Sequence, residues 1–432
     1  MSSPLKIGIA GLGTVGAGVV KILADNANTI SARAGRPVAV TAVSARQRGK
    51  DRGVALEGMT WHDDAVALAS DDNVDVVIEL IGGADGVAKN LVEAALANSK
   101  HVVTANKALI AHHGLDLAKR AEGAGNVLAY EAAVAGGIPI IKALREGLSA
   151  NTIYGVHGIL NGTCNYILSS MTGSGRPFDE VLAEATELGY AEVDPSFDVD
   201  GIDTAHKLSI LASVAFGTEV DFDSVYVEGI RHVSPVDIHF AKKLGYGIKL
   251  LGVAKRREDG IEQRVHPCMV PVDAPINHVS GVFNGVVVDG DFVDGTIYEG
   301  RGAGAGPTAS AVVADIVDIA RGARVPTFGV VAENLKPGNT VSMSDHVGPY
   351  YVRLMVVDEP GVFADIALCL KNHNVSMGSV LQQSRDPGEP VPVVMTVHET
   401  QERAMLMTLA EIGAIEAVVE RPIMIRIESF PD

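Results

Sequence analysis

Five carboxylates, Glu192, Asp194, Asp198, Asp200 and Asp203, fall within twelve residues, and Lys207 follows one helical turn after the last of them. Such a segment repels itself unless something cationic joins it: a metal ion, an ammonium-bearing substrate, or Lys207 itself. Spacing rules out a calcium EF-hand. With Gly201 as the loop glycine, the bidentate acid that closes such a loop should stand where Lys207 is. The plain alternative is a solvated acidic turn, with Asp203 and Lys207 as an i,i+4 surface pair worth under about 0.5 kcal/mol. The density of acids and the motifs upstream argue instead for a functional loop that holds one of those cations.

A second chemistry is written at the start of the chain. Leu5–Ala10 reads as a buried strand, Gly11-Leu12-Gly13-Thr14-Val15-Gly16 follows at once, and a helical pattern runs to Ala24. Between strand and helix, this hexad is the setting of a dinucleotide fingerprint, with the helix N-terminus facing a pyrophosphate. An NAD-selective site would end the second strand, Val38–Val43, with an acid. Here Ser44-Ala45-Arg46-Gln47-Arg48-Gly49-Lys50 follows, so NADP is favoured, with Arg46 the residue to meet a 2′-phosphate and a solvated basic loop as the alternative. Strands are expected at Val74–Leu80, His101–Thr104 and Val127–Glu131, giving a parallel sheet whose ligand crevice lies at the strands' carboxyl ends. Ile81-Gly82-Gly83 and Thr104-Ala105-Asn106-Lys107 fall at those ends, so Gly82, Thr104 and Lys107 are expected to face ligand.

The elements that must position Lys207 come next. Ile138–Leu148 reads as a helix and Asn151–Leu160 as a strand. Asn161-Gly162-Thr163-Cys164-Asn165-Tyr166 reads as a polar turn, and Ile202 to about Phe216 as the helix carrying Asp203 and Lys207. Tyr246–Lys255, Ile261–Val270, Ser280–Asp289 and Asp291–Tyr298 read as antiparallel strands of an α+β domain with one face open to a partner. Gly300–Thr308 lacks the ending of a phosphate loop and is expected to be a flexible crossover into a helix through Ala320. Ala323–Gly348, with Pro326, Pro337 and Gly338, reads as a linker. Beyond it, strand Tyr350–Val357, helix Gly361–Asn372, strands Ser376–Gln383 and Val391–His398, helix Gln401–Ile412 and strand Val418–Ile427 form a βαββαβ unit of ferredoxin-like type.

Composition sets the bounds. A chain of 432 residues should split into two or three domains. The net charge of −18 argues against nucleic acid as a partner. No apolar run is long enough to span a bilayer. Met1-Ser2-Ser3-Pro4 leads straight into the first strand, so no signal peptide and a cytoplasmic location are expected. Cys164, Cys268 and Cys369 form no disulfide or zinc pattern, and the adjacent His112 and His113 diverge on a helix and make a poor metal site.

Taken in order and spacing, the glycine hexad, Thr104–Lys107, Asn161–Tyr166, the Gly189–Lys207 loop and the Gly302–Ser310 turn resemble the homoserine dehydrogenases over the whole chain. The resemblance implies NAD(P)-dependent reduction of L-aspartate 4-semialdehyde to L-homoserine. It also implies proton transfer by Lys207 with Asp203 close by, Lys107 near substrate and nicotinamide, and Glu192 and Asp198 on the substrate's ammonium. Sodium near Glu131, Val134, Gly136 and Ile138, held largely by carbonyls, is likewise implied.

The expected domains are 1–135 with about 308–322 returning, 136–307, a 323–348 linker, and a 349–432 module resembling an ACT domain, from Asp358-Glu359-Pro360-Gly361-Val362-Phe363. The resemblance makes threonine the leading candidate effector, a homodimer or homotetramer is the expected assembly, and truncation near Gly348 is expected to leave an active, unresponsive enzyme. Two alternatives remain: an aspartate-semialdehyde-type aldehyde dehydrogenase with Cys164 as nucleophile, and a non-catalytic nucleotide-binding redox sensor.

Overall fold

The computed structural model describes residues 3–382 and 389–430. Met1, Ser2 and Gln383, the last residue expected in its strand, lie outside the described residues.

Along the chain run β1 (Leu5–Ala10), α1 (Thr14–Asp25), α2 (Ala27–Ala34), β2 (Val38–Ser44), β3 (Thr60–His62), β4 (Val76–Glu79), α3 (Val87–Ala97), β5 (His101–Thr104), α4 (Lys107–Gly123) and β6 (Leu128–Ala129). Then come α5 (Ile140–Lys142), β7 (Ile153–Ile159), α6 (Gly162–Ser174), α7 (Phe178–Glu187), α8 (Ser196–Val199), α9 (Ile202–Phe216), β8 (Tyr226–Val227), α10 (Pro235–Lys243), β9 (Tyr246–Arg256), β10 (Ile261–Pro271), β11 (Phe283–Gly290), β12 (Asp294–Arg301) and α11 (Ala305–Arg321). The chain ends with β13 (Val347–Val357), α12 (Val362–Asn372), β14 (Met377–Gln382), β15 (Pro390–Gln401), α13 (Glu402–Ile412) and β16 (Ile423–Ile427). It divides into two compact units: 1–162 with 202–225 and 282–338, and 163–201 with 226–281 and 339–432.

The first unit is built on a parallel sheet of order β3-β2-β1-β4-β5-β6. Order reverses between β1 and β4, the switch point at which such sheets open a crevice. The sheet's apolar strands pack against α1, α2 and the returning α11, with Ile7, Ile9, Val19, Ile78, Val312 and Ile316 in one core. In the same unit β7, β11 and β12 form an antiparallel group, and α9 packs on β7 and α4. That packing brings the acidic segment's last carboxylate to the start of α4.

Three expectations change here. Val127–Glu131 is a strand only at Leu128–Ala129, because a 3-10 turn over Glu131–Ala133 takes the chain away. The Ile138–Leu148 helix shortens to α5 followed by a π-turn over Ala143–Gly147. The glycine stretch before α11 is packed rather than flexible. A Cβ on Gly302 would stand 2.1 Å from Cγ of Asn284, and the Arg301 carbonyl accepts the Gly137 N–H at 2.9 Å.

The segment read as a linker is packed too. Tyr130 donates its hydroxyl hydrogen to the Thr327 carbonyl at 2.8 Å, Phe328 is buried against the same ring, and the Glu122 carboxylate accepts from the Thr327 and Ala332 amides.

In the second unit β13–β16 form an antiparallel sheet of order β16-β13-β15-β14, covered by α12 and α13 around Tyr350, Leu354, Ile366, Val393 and Met405. The βαββαβ order is therefore as read from sequence. This module is not a pendant. Strand β16 pairs in parallel with β10, Cys268 with Arg426 and Met269 with Ile427, so a cut near Gly348 would remove that short pairing along with the module.

Candidate active site

The fingerprint turn is forced by its glycines. Gly11 has φ +98°, and a Cβ there would stand 2.4 Å from the Leu80 carbonyl oxygen. Gly13 caps α1, Thr14 and Val15 open the helix, and the Gly11 amide bonds the Ser44 carbonyl at 2.9 Å, tying the turn to the end of β2. Beside it lies a crevice of about 680 Å³ lined by Gly11, Gly13, Ser44, Arg46, Arg52 and Ile81, among others. Backbone amides at a helix N-terminus and guanidinium groups at the rim fit a phosphate-bearing dinucleotide.

Arg46 is exposed at that rim. Arg52, which the sequence did not single out, does more for the loop. It donates to the carbonyls of Leu12, Lys50 and Gln47 and lies 5.5 Å from the Trp61 ring centroid. Several cations in a short run give no signal as to which one organises the others.

Glu79 was missed because its Thr104 partner lies 25 residues further along the chain. At the end of β4 its buried carboxylate accepts from the Ile81 and Gly82 amides at 2.7 and 3.0 Å and from the Thr104 hydroxyl at 2.5 Å. Thr104 in turn accepts from Asn106, and Asn106 bonds the Gly83 carbonyl while capping α4. The Thr104 side chain thus shapes the crevice wall from inside, and Gly82 is held by its amide. The Thr104–Lys107 segment ends by presenting Lys107 as the first residue of α4.

Lys107 Nζ reaches Asp203 Oδ1 at 3.0 Å. On the other oxygen, Asp203 Oδ2 accepts from Lys207 Nζ at 2.7 Å and Asn161 Nδ2 at 2.8 Å. Lys207 also donates to the Leu160 carbonyl at 2.7 Å. Asp203 is 3 % exposed and Lys207 9 %, which removes the surface-pair alternative. Burial alone would raise the Asp203 carboxyl. The charges of Lys207 and Lys107, with the bonds from Lys207 and Asn161, overcome it and hold the group well below the usual carboxylate range.

The rest of the acidic loop belongs to the second unit. Asp200 finds its cation in Arg231, in a two-pronged ion pair, and Asp194 accepts the Ser196 amide. Glu192 is exposed and Asp198 half-buried in α8. The self-repulsion read from the sequence is thus relieved at Asp203 by two lysines and at Asp200 by an arginine.

Cys164 is fully buried and its thiol donates to the Asp198 carbonyl at 3.2 Å. His113 bonds Asp85 and His112 faces His206, so the two adjacent histidines do diverge. Among the described residues no group of three or more His, Cys, Asp or Glu side chains could hold a metal, and no helix is long and apolar enough to cross a membrane.

Glu131 is buried and accepts the Ile141 and Lys142 amides, one on each oxygen, at 2.9 Å. Burial first, and then the charge of Asp315, push its carboxyl up to about 7, against the bonds from those amides and the Lys142 ammonium. Val134, Gly136 and Ile138 follow through a bend in which Ala135 takes φ +51°.

A dinucleotide fold with a buried lysine–carboxylate cluster defines an NAD(P)-dependent oxidoreductase. Residues 11–131 match the model of the homoserine dehydrogenase NAD-binding domain and residues 139–317 that of homoserine dehydrogenase. The chain is 46% identical to a Pseudomonas aeruginosa homoserine dehydrogenase over 99% of both chains, and 44% identical to that of Neisseria gonorrhoeae over 99% of this chain and 100% of the other. A Thiobacillus denitrificans homoserine dehydrogenase crystal structure superposes with TM-score 0.93 at 44% identity, covering 99% of each. A hyperthermophilic archaeal homoserine dehydrogenase solved with NADPH matches at TM-score 0.63 and 26% identity, over 73% of this chain and 97% of that one.

The chain belongs to the homoserine dehydrogenase family. It interconverts L-aspartate 4-semialdehyde and L-homoserine with a nicotinamide cofactor, in amino-acid biosynthesis. The aldehyde dehydrogenase and redox-sensor alternatives find no support.

Proposed function

We propose that Lys207 transfers the proton of this reaction, with Asp203 as its anchor and Lys107 beside the substrate and nicotinamide. The observation that carries the reading is a single buried carboxylate held by both lysines, 3.0 Å from Lys107 and 2.7 Å from Lys207. The bound cofactor supplies the hydride for the aldehyde carbon. Lys207 protonates the oxygen as negative charge develops on it, and in the oxidative direction takes the proton from the hydroxyl. Asp203 and the Leu160 carbonyl fix two directions of the ammonium, so the group is aimed before substrate arrives. Glu192 and Asp198 are the acids for the substrate's ammonium, by charge-assisted bonds.

NADP is the preferred cofactor, with NAD as a second, on the strength of Arg46 and the absence of an acid at the end of β2. Gly11, Gly13, Thr14, Val15 and Gly16 cradle the pyrophosphate, and Gly82, Thr104 and Lys107 border the nicotinamide end. A sodium ion beside Glu131 would be held by the carbonyls of Val134, Gly136 and Ile138, and the buried carboxylate would offset its charge. Residues 1–135 with 308–322 form the cofactor domain and 136–307 the catalytic and dimerisation domain. Residues 349–432, beyond the connecting 323–348, form an ACT-like module that senses threonine. The enzyme works in the cytoplasm as a homodimer or homotetramer.

The test is steady-state homoserine oxidation with NADP⁺ and NAD⁺ by the wild type and Lys207→Ala. Loss of positioned acid–base catalysis costs about 100- to 10,000-fold in kcat, with cofactor affinity retained. Near-wild-type turnover by Lys207→Ala would remove the assignment.

A further inference from the structure

Away from the Asp203 cluster, α4 and α9 meet a second time. His112, five residues past Lys107 on α4, and His206, between Asp203 and Lys207 on α9, bring their Nε2 atoms to 3.3 Å. Phe222 lies flat on His206, with centroids 4.3 Å apart and 13° between the planes, and meets the edge of His112 at 5.0 Å. His206 is buried and His112 reaches solvent. One imidazole must donate and the other accept across that gap. Burial first, and then the charges of His112, Lys107 and Lys207, hold His206 neutral down to about pH 4, against the pull of Asp203. At neutral pH His206 therefore keeps one donor and one acceptor nitrogen, and the bond survives whichever form His112 takes.

Lys107 stands in the first turn of α4 and reaches sideways to Asp203, so its distance from that carboxylate follows the seating of α4 on α9. We propose that the His112–His206 bond, clamped by Phe222, is the tie that fixes this seating and thereby sets how Asp203 divides its charge between Lys107 and Lys207. Both histidines are positioning residues for the proton transfer, and the inference rests on the role given to Lys207.

The charged and polar groups around the cluster are Lys107 and His112 from α4, Asp203, His206 and Lys207 from α9, and Asn161 with the Leu160 carbonyl from the end of β7. A nearby Lys107 competes for Asp203 and repels the neighbouring ammonium, which makes the proton on Lys207 easier to lose. With α4 slack, that help is gone.

The experiment compares His112→Leu with His112→Gln, whose amide nitrogen can occupy the place of imidazole Nε2. His112 is on the solvent side, so neither change threatens the core. His112→Leu is expected to lower kcat for homoserine oxidation by about tenfold, as expected for a small misplacement of a reacting group. It should also displace the alkaline rise in rate upward by about half a pH unit or more. NADP⁺ affinity should stay unchanged, and His112→Gln should restore both rate and profile. A slowed His112→Leu enzyme with the wild-type pH profile, a His112→Gln enzyme as impaired as His112→Leu, or no effect of either overturns the tie. Lys207→Ala run alongside separates the two claims. If it keeps turnover, the role of Lys207 fails and the tie falls with it. If Lys207→Ala is dead and the His112 variants match the wild type, only the tie fails.

Discussion

At the scale of single residues the site is a contest for one carboxylate. Asp203 accepts from two lysines and an amide within a few ångströms, and in a buried setting such charge pairs interact several-fold more strongly than in water. The contest keeps Lys207 oriented and charged, which suits reduction, where an ammonium is the acid. In the oxidative direction the same ammonium must first give up its proton. An ordinary lysine does so near pH 10.4, so homoserine oxidation should accelerate from neutral pH toward about pH 9 and above. A flat rate over that range, with cofactor binding unchanged, would take the proton transfer away from Lys207. Cys164, by contrast, is buried and donates to a carbonyl. Cys164→Ser keeps a donor in the same place and should leave kcat within about twofold of wild type, because hydride transfer to an aldehyde needs no thiolate.

At the scale of elements, what could be read from the sequence divides by distance along the chain. Helix α9 runs Ile202–Phe216, as its own pattern required, and β5 and the glycine turn are likewise local signals. Asp203 and Lys207 share a face because they are four residues apart. Lys107 joins them only through the packing of α4 on α9, which took a family resemblance to foresee. The partners that no local pattern reveals are the distant ones: Thr104 for Glu79, Arg231 for Asp200, Arg52 for the carbonyl of Leu12. Val127–Glu131 failed as a strand because Glu131 is turned toward the amides opening the Ile140–Gly147 segment. That placement has a measurable consequence. A carboxyl raised from 4.5 to about 7 in the fold costs stability as pH rises above 4.5, with the full cost present above about 7. Glu131→Gln removes the titration, so its melting temperature relative to wild type should improve between pH 5 and pH 8. Sodium, by offsetting the same charge, should raise the wild-type melting temperature more at pH 8 than at pH 5. A pH-independent difference between Glu131→Gln and wild type would show that Glu131 does not titrate in this range.

At the scale of the molecule, the second unit is held together by buried charge. Arg264, 1 % exposed, pairs with Glu262 and Glu428. Arg426 pairs with Glu228 and Glu402, and the Tyr350 hydroxyl donates to Glu402. Asp237, capping α10, accepts from Tyr351 and Arg353. In each group at least one partner lies between Pro349 and Glu428 and at least one outside that range, except the Tyr350–Glu402 bond, which is internal to it. Cutting at Gly348 would strip Glu428 from Arg264, Arg426 from Glu228 and both donors from Asp237, and would expose the edge of β10. A buried charge deprived of its partner costs about 3–5 kcal/mol, against a typical domain stability of about 5–15 kcal/mol. Asp237 suffers that loss outright, while Arg264 keeps Glu262 and Glu228 keeps the Tyr226 hydroxyl, so one stranded charge and two weakened groups are set against that margin. The chain ending at Gly348 is therefore expected to be insoluble, or to melt more than about 10 °C below the full chain, and to lose activity through unfolding. Threonine sensing must accordingly be sought on the full chain, as inhibition reflecting a coupling of about 1–3 kcal/mol between the effector and substrate sites. A truncated chain that melts with the full one and turns over homoserine would show that these ion pairs contribute nothing to the fold, and would make the C-terminal module a detachable sensor after all.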